Sequence, residues 1–417
     1  MIHTVSLNGW QDLSFNTYTD IALTNFTDSV RHEVEVKGLG MIGSNAVNLA
    51  FSSAALRNKF IDEEMKQSVA KDLSATNAFE YTVDMEAGYR FLAPSFILHS
   101  PSLISCSMRI GTVQQSTFTE DLFKVIFFGN AGYAGKTADF SGSYDLQYSY
   151  RQLRLGLQKQ LLNKEVQWET GIGISYISAK KGHEILLHHA TLYTEENGEY
   201  LDAVYNIEYH EADTSNHGTW QTDGRGAAAD LLLSCLFHDG KSRLTLSAND
   251  AGLIAWNKHS LLYTADSALH FEGLEVNDLL VQADSSLFQF SGDTLLDKTG
   301  ATVNNGTFTT AFKMRFSLVY FQKWSDRCMT VAGVTYRPMP DLMPLIFIQP
   351  QYVITDWLTA GCSFAYGGSA AFGLGLTAII QVNGSFRLSV ASQNVPGLVM
   401  PSQTTSTSLF LQASWQF

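Results

Sequence analysis

Counting back from the C-terminus in steps of two separates Phe417, Trp415, Ala413, Leu411 and Leu409 from Gln416, Ser414, Gln412, Phe410 and Ser408. Successive side chains of an extended strand point to opposite faces, so one face of this stretch is apolar and the other mostly polar. The alternation recurs upstream. Phe79, Tyr81, Val83, Met85, Ala87 and Tyr89 interleave with Glu80, Thr82, Asp84, Glu86 and Gly88, and Trp168, Thr170, Ile172, Ile174 and Tyr176 with Glu169, Gly171, Gly173 and Ser175. The pattern predicts strands at residues 41–51, 79–89, 103–112, 140–160, 166–176, 226–237, 243–250, 312–321, 328–336, 345–354, 357–366, 371–381, 384–392 and 406–417, about fourteen in all. Any one of these would suit a soluble sandwich. So many of them with aromatics at their ends, and a last strand finishing on Phe417, point to a membrane barrel whose apolar faces meet lipid and whose polar faces line a lumen. The predicted fold is all-β: a transmembrane antiparallel up-and-down β-barrel with a few short loop helices.

The connections carry an independent signal. With Phe417 at the periplasm, the turns Asn163-Lys164, Asp239-Gly240, Ser325-Asp326, Thr355-Asp356 and Asn383-Gly384 share its side, and the long stretches 180–225 and 251–311 fall outside. Outer-membrane barrels sort short turns and long loops in this way, which implies a bacterial outer membrane and two periplasmic termini. After Tyr150 the phase slips to Leu153, Leu155 and Leu157, predicting a bulge near Arg151. Pro350 falls inside a strand and cannot donate to its ladder, which predicts a bulge or an early strand end. Residues 56–73 place Leu56, Phe60, Met65, Val69 and Leu73 about a turn apart, as an amphipathic helix on the barrel rim does. Residues 1–40 are weakly periodic, with a strand signal at 32–36, and are assigned to a periplasmic or lumenal plug, leaving 41–417 as the barrel.

Composition narrows the classes. No run of about eighteen apolar residues exists, so helical membrane spans are excluded. The first six residues carry no basic and apolar leader pattern, as expected of a mature chain. A net charge of −13 argues against a nucleic-acid partner, which needs clustered Lys and Arg. Cys106, Cys235, Cys328 and Cys362 are far apart and show neither a metal-ligand spacing nor a disulfide framework.

Two stretches carry a family resemblance. Gly226-Ala227-Ala228-Ala229-Asp230-Leu231, followed by residues 246–256 (LSANDAGLIAW), and Tyr150-Arg151-Gln152-Leu153-Arg154-Leu155-Gly156 with its hairpin resemble a family of uncharacterised outer-membrane barrels from Bacteroidetes. An Asn-Pro-Ala signature often seen near the start of such proteins is absent. That family looks like a relative of the long-chain fatty-acid transporter barrels and of the barrel components of type IX secretion. The resemblance implies fourteen strands and, from the transporters, an N-terminal plug. It carries over no catalytic residue.

Candidate chemistry is sparse. His183, His188, His189, His210 and His217 lie in one predicted outer loop beside Glu184, Glu211 and Asp213. Their irregular spacing fits solvated loop residues better than a metal or pH-sensing cluster, and no metal site is assigned. Ser247 with His238 or His259 is proximity in sequence only, no G-x-S-x-G elbow appears, and no enzyme or cofactor is expected. The predicted inward register is more informative. It carries Glu80, Asp84, Glu86, Asp145, Glu169 and Asp230 against Arg109, Arg154, Lys313, Arg315 and Arg387. Mixed signs favour a cross-lumen lattice of ion pairs over a selectivity ring of one sign. Residues 119–128 form a helix apolar on most sides, read first as a packed cap and second as an entry site for a hydrophobic solute.

Two functions follow as expectations. One is a transporter-like barrel that binds or passes a hydrophobic small molecule. The other is a non-transporting barrel serving as scaffold or subunit of a surface-assembly or secretion complex, with envelope proteins as partners. Either way outer-membrane lipid is a partner, and Trp415 and Phe417 close the barrel. Trp415→Asp is expected to impair insertion, because lipid-facing charge costs roughly 2–4 kcal/mol at mid-bilayer for Lys or Arg and less for Asp near an interface. Unchanged yield in the membrane fraction would count against the register.

Overall fold

The computed structural model describes residues 32–93, 102–162, 167–213, 215, 218, 221–237, 241–272, 301–338 and 342–417. In chain order its strands are β1 (His32–Ser44), β2 (Thr76–Ala93), β3 (Ser102–Thr119), β4 (Lys136–Asp139), β5 (Tyr144–Leu162), β6 (Gln167–Thr194), β7 (Leu201–Glu211), β8 (Gly224–Leu236), β9 (Ser242–Trp256) and β10 (Ser260–Phe271). They continue as β11 (Thr302–Gly306), β12 (Thr309–Ala311), β13 (Arg315–Lys323), β14 (Cys328–Tyr336), β15 (Met343–Thr355), β16 (Leu358–Gly368), β17 (Ala370–Gln381), β18 (Phe386–Ser392) and β19 (Ser406–Gln416). The helices are α1 (Leu49–Leu56), α2 (Glu63–Ala70), α3 (Glu120–Phe128) and α4 (Pro396–Val399).

Fourteen of the strands form one closed antiparallel ring in the order β1, β2, β3, β5, β6, β8, β9, β13, β14, β15, β16, β17, β18, β19 and back to β1. Closure leaves no sheet edge, which is what a strand-built structure needs in lipid. Along β19, Leu409, Leu411 and Trp415 are exposed while Ser408, Phe410, Gln412 and Ser414 are buried, so the oily face is the outer one. At the seam Trp415 stands opposite Val34, and Phe417 and His32 exchange both backbone hydrogen bonds at 3.0 Å. The His32 and Phe417 rings stack at 5.5 Å.

Several expectations shift. The first strand is His32–Ser44, not 41–51, and residues 49–51 belong to α1. Residues 32–40 are therefore barrel wall, and the predicted plug is left with residues 1–31, outside the described ones. Glu33, Glu35 and Lys37 alternate with Val34 and Val36, which is the barrel pattern itself with charged residues on its inner positions. The single helix predicted over 56–73 is two. Asn48 accepts from Phe51 N at 2.9 Å to start α1, Asn58 at φ 50° ends it, and Asp62 accepts from Met65 N at 2.9 Å to start α2. The bulge of β5 against β6 lies between Gln147 and Ser149 rather than near Arg151. Pro350 makes no bulge and ends no strand: pairing of β15 with β16 skips Gln349 and Pro350 and resumes at Gln351 opposite Gly361 in unchanged register. Much of the stretch 180–225 is strand rather than loop among the described residues, because β6 runs on to Thr194 and pairs with β7 (Leu201–Glu211), which pairs with β10, giving a sheet that projects beyond the ring.

The turns at 325–326, 355–356 and 383–384 share the end that holds Phe417, called here the near end, while Asn163-Lys164 and Asp239-Gly240 lie outside the described residues. All four helices lie at the far end. Thr119 caps α3 by accepting from Leu122 N at 3.1 Å, and Gly129 at φ 79° ends it. Its apolar side packs Phe123 and Phe127 on Val47, Phe51 and Val69, with Phe123 and Phe127 ring centres 4.5 Å apart. The helix is a packed cap on the rim.

Candidate functional site: the lumen and a seam in the wall

The eleven charges expected in the lumen come from seven ring strands and the segment before β13. Arg109 on β3 reaches Glu86 at 3.7 Å and Asp250 at 2.9 Å, Arg154 reaches Asp230 at 2.8 Å, and Glu169 reaches Arg243 at 2.7 Å. Asp84 on β2 pairs with Lys313 and accepts from Tyr150, and Glu80 on β2 pairs with Arg337 just past β14. Seven places apart in a fourteen-membered ring, β2 and β14 are opposite walls, so the last of these pairs spans the lumen. Asp145 accepts from Gln114 at 3.2 Å and from Ser116, and meets His183 at 2.9 Å. Arg387 donates to Gln381 at 3.1 Å, and Arg315, the first residue of β13, is half-buried. Desolvated charges persist only with opposite charge and hydrogen bonds around them, and the interleaved signs supply both.

The sequence reading missed several partners. Glu35 meets Lys37 at 2.8 Å and Arg90, and Gln412 donates to it at 3.1 Å; all of these lie in or against the segment first assigned to the plug. Asp250 was read as the end of a strand. It lies mid-strand at φ 57°, beside a bulge between Ala229 and Leu231, and its carboxylate gathers Arg109 and, at 2.7 Å, Gln152. The Asn249-Asp250 pair was the available signal, since Asn and Asp tolerate the left-handed conformation that a bulge demands.

Above this polar layer, in the far half, the inner face turns apolar. Phe312 packs edge-on to Tyr150 at 5.0 Å, and Trp256 stacks on Phe308 at 5.5 Å while donating from Nε1 to Thr310 at 3.1 Å. Ile177, Ile254 and Leu146 complete the cluster. Residues 308–313 thus fold inward from the far end and set Phe312 and Lys313 beside Tyr150.

The wall itself has an irregular place. β18 spans seven residues; its ladder stops at Ser392 opposite Leu376 and at Ala391 opposite Phe410, while β17 and β19 run further. Residues 393–405 fill the gap by scattered bonds: Val395 N to Leu374 O at 2.9 Å, Gln393 N to Ser408 Oγ at 3.0 Å, and Asn394 Nδ2 to Ser406 O at 2.9 Å. Beside them is a small, partly open cleft whose lining includes Met41, Leu345 and Ala365, the polar Arg337, Gln393 and Asn394, and Ile42 and Thr407 of the outer face. Its walls are kept thin by small residues. A Cβ at Gly43 would lie 2.4 Å from Ser369 Oγ, and one at Gly375 2.1 Å from Ser363 Oγ. A second small space is lined by Glu35, Glu86, Arg90, Arg154 and Asp230 among others and is polar by comparison.

The outer histidines sit on the projecting sheet. His210 lies 3.5 Å from Glu184 and 3.7 Å from Glu208, His188 3.2 Å from Glu208, and His189 3.3 Å from Ser141; His217 lies outside the described residues. Among the described residues no group of three or more His, Cys, Asp and Glu is placed to hold a metal ion. His270, 2.5 Å from Asp202 and 3.2 Å from Glu272, has its pKa raised above 6.5 by those carboxylates. A raised histidine value makes the pairing fully present below about pH 6.5 and lost as pH rises through the folded value. An NMR titration of His270 is expected to show a midpoint above the free-histidine value that falls in Asp202→Asn; an unchanged midpoint would refute the pairing.

Solved structures with a similar course include the TodX deltaS2S3 mutant monoaromatic hydrocarbon channel (8% identity, TM-score 0.46, covering 94% of this chain and 91% of that one). The Ralstonia pickettii toluene transporter TbuX (6%, 0.44, 93% and 89%) and the translocator domain of the Neisseria meningitidis autotransporter NalP (8%, 0.30, 95% and 91%) are others. No curated protein matches the chain. A family model described as a family of unknown function (DUF5723) matches residues 30–391, and the chain belongs to that family.

Proposed function

We propose that this is an outer-membrane barrel that binds or passes a hydrophobic small molecule, with the seam between β17 and β19 as its way in. The observation that carries the reading is the cleft beside residues 393–405, whose lining joins inner-face Met41 to outer-face Ile42 and Thr407 and so touches both faces of the wall. Pockets for apolar solutes combine apolar walls with a few polar groups, and here Met41, Ile42, Leu345 and Ala365 share the lining with Arg337, Gln393 and Asn394. The axis is unsuited to the same task. Ion pairs of both signs reach across it, and an apolar solute moving along it would displace charges from their partners. The proposal keeps both termini periplasmic and keeps kinship with the fatty-acid transporter-like and type IX secretion barrels of Bacteroidetes.

The test is uptake of a small aromatic hydrocarbon into vesicles carrying the purified barrel, compared with Ala365→Phe, which fills the seam cavity from β16. Uptake is expected to exceed that of protein-free vesicles and to fall to that background in the variant. Equal uptake by both proteins would reject the seam, and none by either would reject transport. The lattice across the lumen favours a second reading, a stiff non-transporting scaffold for a surface-assembly or secretion complex. Stoichiometric companions recovered with the tagged protein from native membranes would decide for it.

A further inference from the structure

The far-end rim is not uniform. On the β6 side the projecting sheet carries charged and histidine side chains, among them Glu184, Glu208, His188 and His210. On the opposite side α1 and residues 393–405 form one small unit: Leu49 N donates to Thr404 O at 2.8 Å, Ala50 N donates to Pro401 O at 3.0 Å, and a Cβ on Gly397 would lie 2.8 Å from Leu49. That unit exposes what a water-facing rim should hide. Val399 is 73% exposed and Phe60 87%, and Leu56, Leu398 and Met400 are each about half exposed. From Leu388 to Phe417 no side chain carries a charge.

We propose that this unit is embedded in the outer leaflet of the membrane, with lipid acyl chains as the partner of Leu398, Val399, Met400 and Phe60. The patch adjoins the lipid-facing wall. Val395 is bonded to Leu374 of β17, whose outer face shows Leu374 and Phe372, so the oily surface of the wall runs onto the rim. Contiguous exposed apolar area of this kind marks an interaction site, and here its nearest neighbour is already lipid. Arg57 and Lys59, both exposed, precede Phe60 directly. Basic side chains beside an aromatic suit the level of anionic headgroups, with the ring below and the cations reaching phosphate. A protein partner would have no need of that basic collar. The assignment does not depend on transport: a scaffold barrel would be anchored in the same way.

The experiment places single tryptophans, Val399→Trp and Phe60→Trp, in the full-length protein reconstituted into vesicles of phosphatidylcholine and phosphatidylglycerol with brominated acyl chains. Asn197→Trp, at the exposed turn after β6, is the reference. Subtracting the parent protein removes its own tryptophans, and an unchanged heat-dependent gel shift confirms that each variant is folded. The emission added at 399 and 60 is expected to be blue-shifted and lost to bromine quenching, and that added at 197 to be neither. Quenching at 399 no stronger than at 197 would overturn the proposal. So would a blue shift at 399 that vanishes as protein is diluted in lipid, because a second copy of the chain would then be what covers the patch.

Discussion

Asp250→Asn is expected to destabilise the barrel by roughly 3–5 kcal/mol, the cost of removing one partner from a buried ion pair. Asparagine keeps the volume and the tolerance for φ 57° but offers one acceptor where the carboxylate offers two, to Arg109 and to Gln152, so the loss combines the charge with one hydrogen bond. Asp250 is 2% exposed and is the shortest carboxylate contact of Arg109 at 2.9 Å. Asp250→Ala adds backbone strain at the same φ and should be worse. Pairing Asp250→Asn with Arg109→Met should recover part of the deficit, since it removes the buried cation that the single change leaves without its nearest carboxylate. Urea unfolding followed by the heat-dependent gel shift measures all of these. A double variant no more stable than the single one would show that Arg109 is held chiefly by other groups.

Trp256→Ala should cost about as much, roughly 3–5 kcal/mol, through a different mechanism. The indole is 1% exposed, stacks on Phe308, donates to Thr310 and lies over Gly182, where a Cβ would come within 2.2 Å of the ring. Its removal takes away the roof of the apolar cluster and leaves a cavity in the far half of the lumen, beneath the projecting sheet. Trp256→Phe should retain most of the stability. Gly182→Ala is expected to destabilise from the other side by about 1–3 kcal/mol through overpacking. An unfolding midpoint for Trp256→Ala equal to the parent's would remove the cluster from any account of barrel stability.

The alternation of oily and polar residues let the ring be read from the chain, because lipid outside and ion pairs inside impose opposite demands on successive residues. It failed where those demands relax. Beyond Gly182 the strand β6 pairs with β7 in the projecting sheet rather than with β8 in the ring, and Ile185-Leu186-Leu187 followed by the bulged His188 shows no clean period. The opposite error came at Glu33, Glu35 and Lys37, where the weak period of residues 1–40 taken as one block outweighed the strand signal at 32–36, although the spacing there is that of a wall. Lumen charges could be placed on the inner face from their parity, but not their partners. Asp84 and Lys313 are 229 residues apart, and only closure of the ring brings β2 opposite the segment before β13. The seam was invisible for the same reason, since its lining comes from residues between 41 and 407 that share no local pattern.

The length of β6 has a mechanical meaning. Its 28 residues pair with β5 and β8 inside the ring and with β4 and β7 outside it, as one uninterrupted backbone. A tug on the outer sheet therefore travels into the membrane-spanning wall along covalent bonds and ladder hydrogen bonds, with no slack loop to absorb it. It meets the wall beside Trp256. Anything that grips this sheet holds the barrel by a rigid handle.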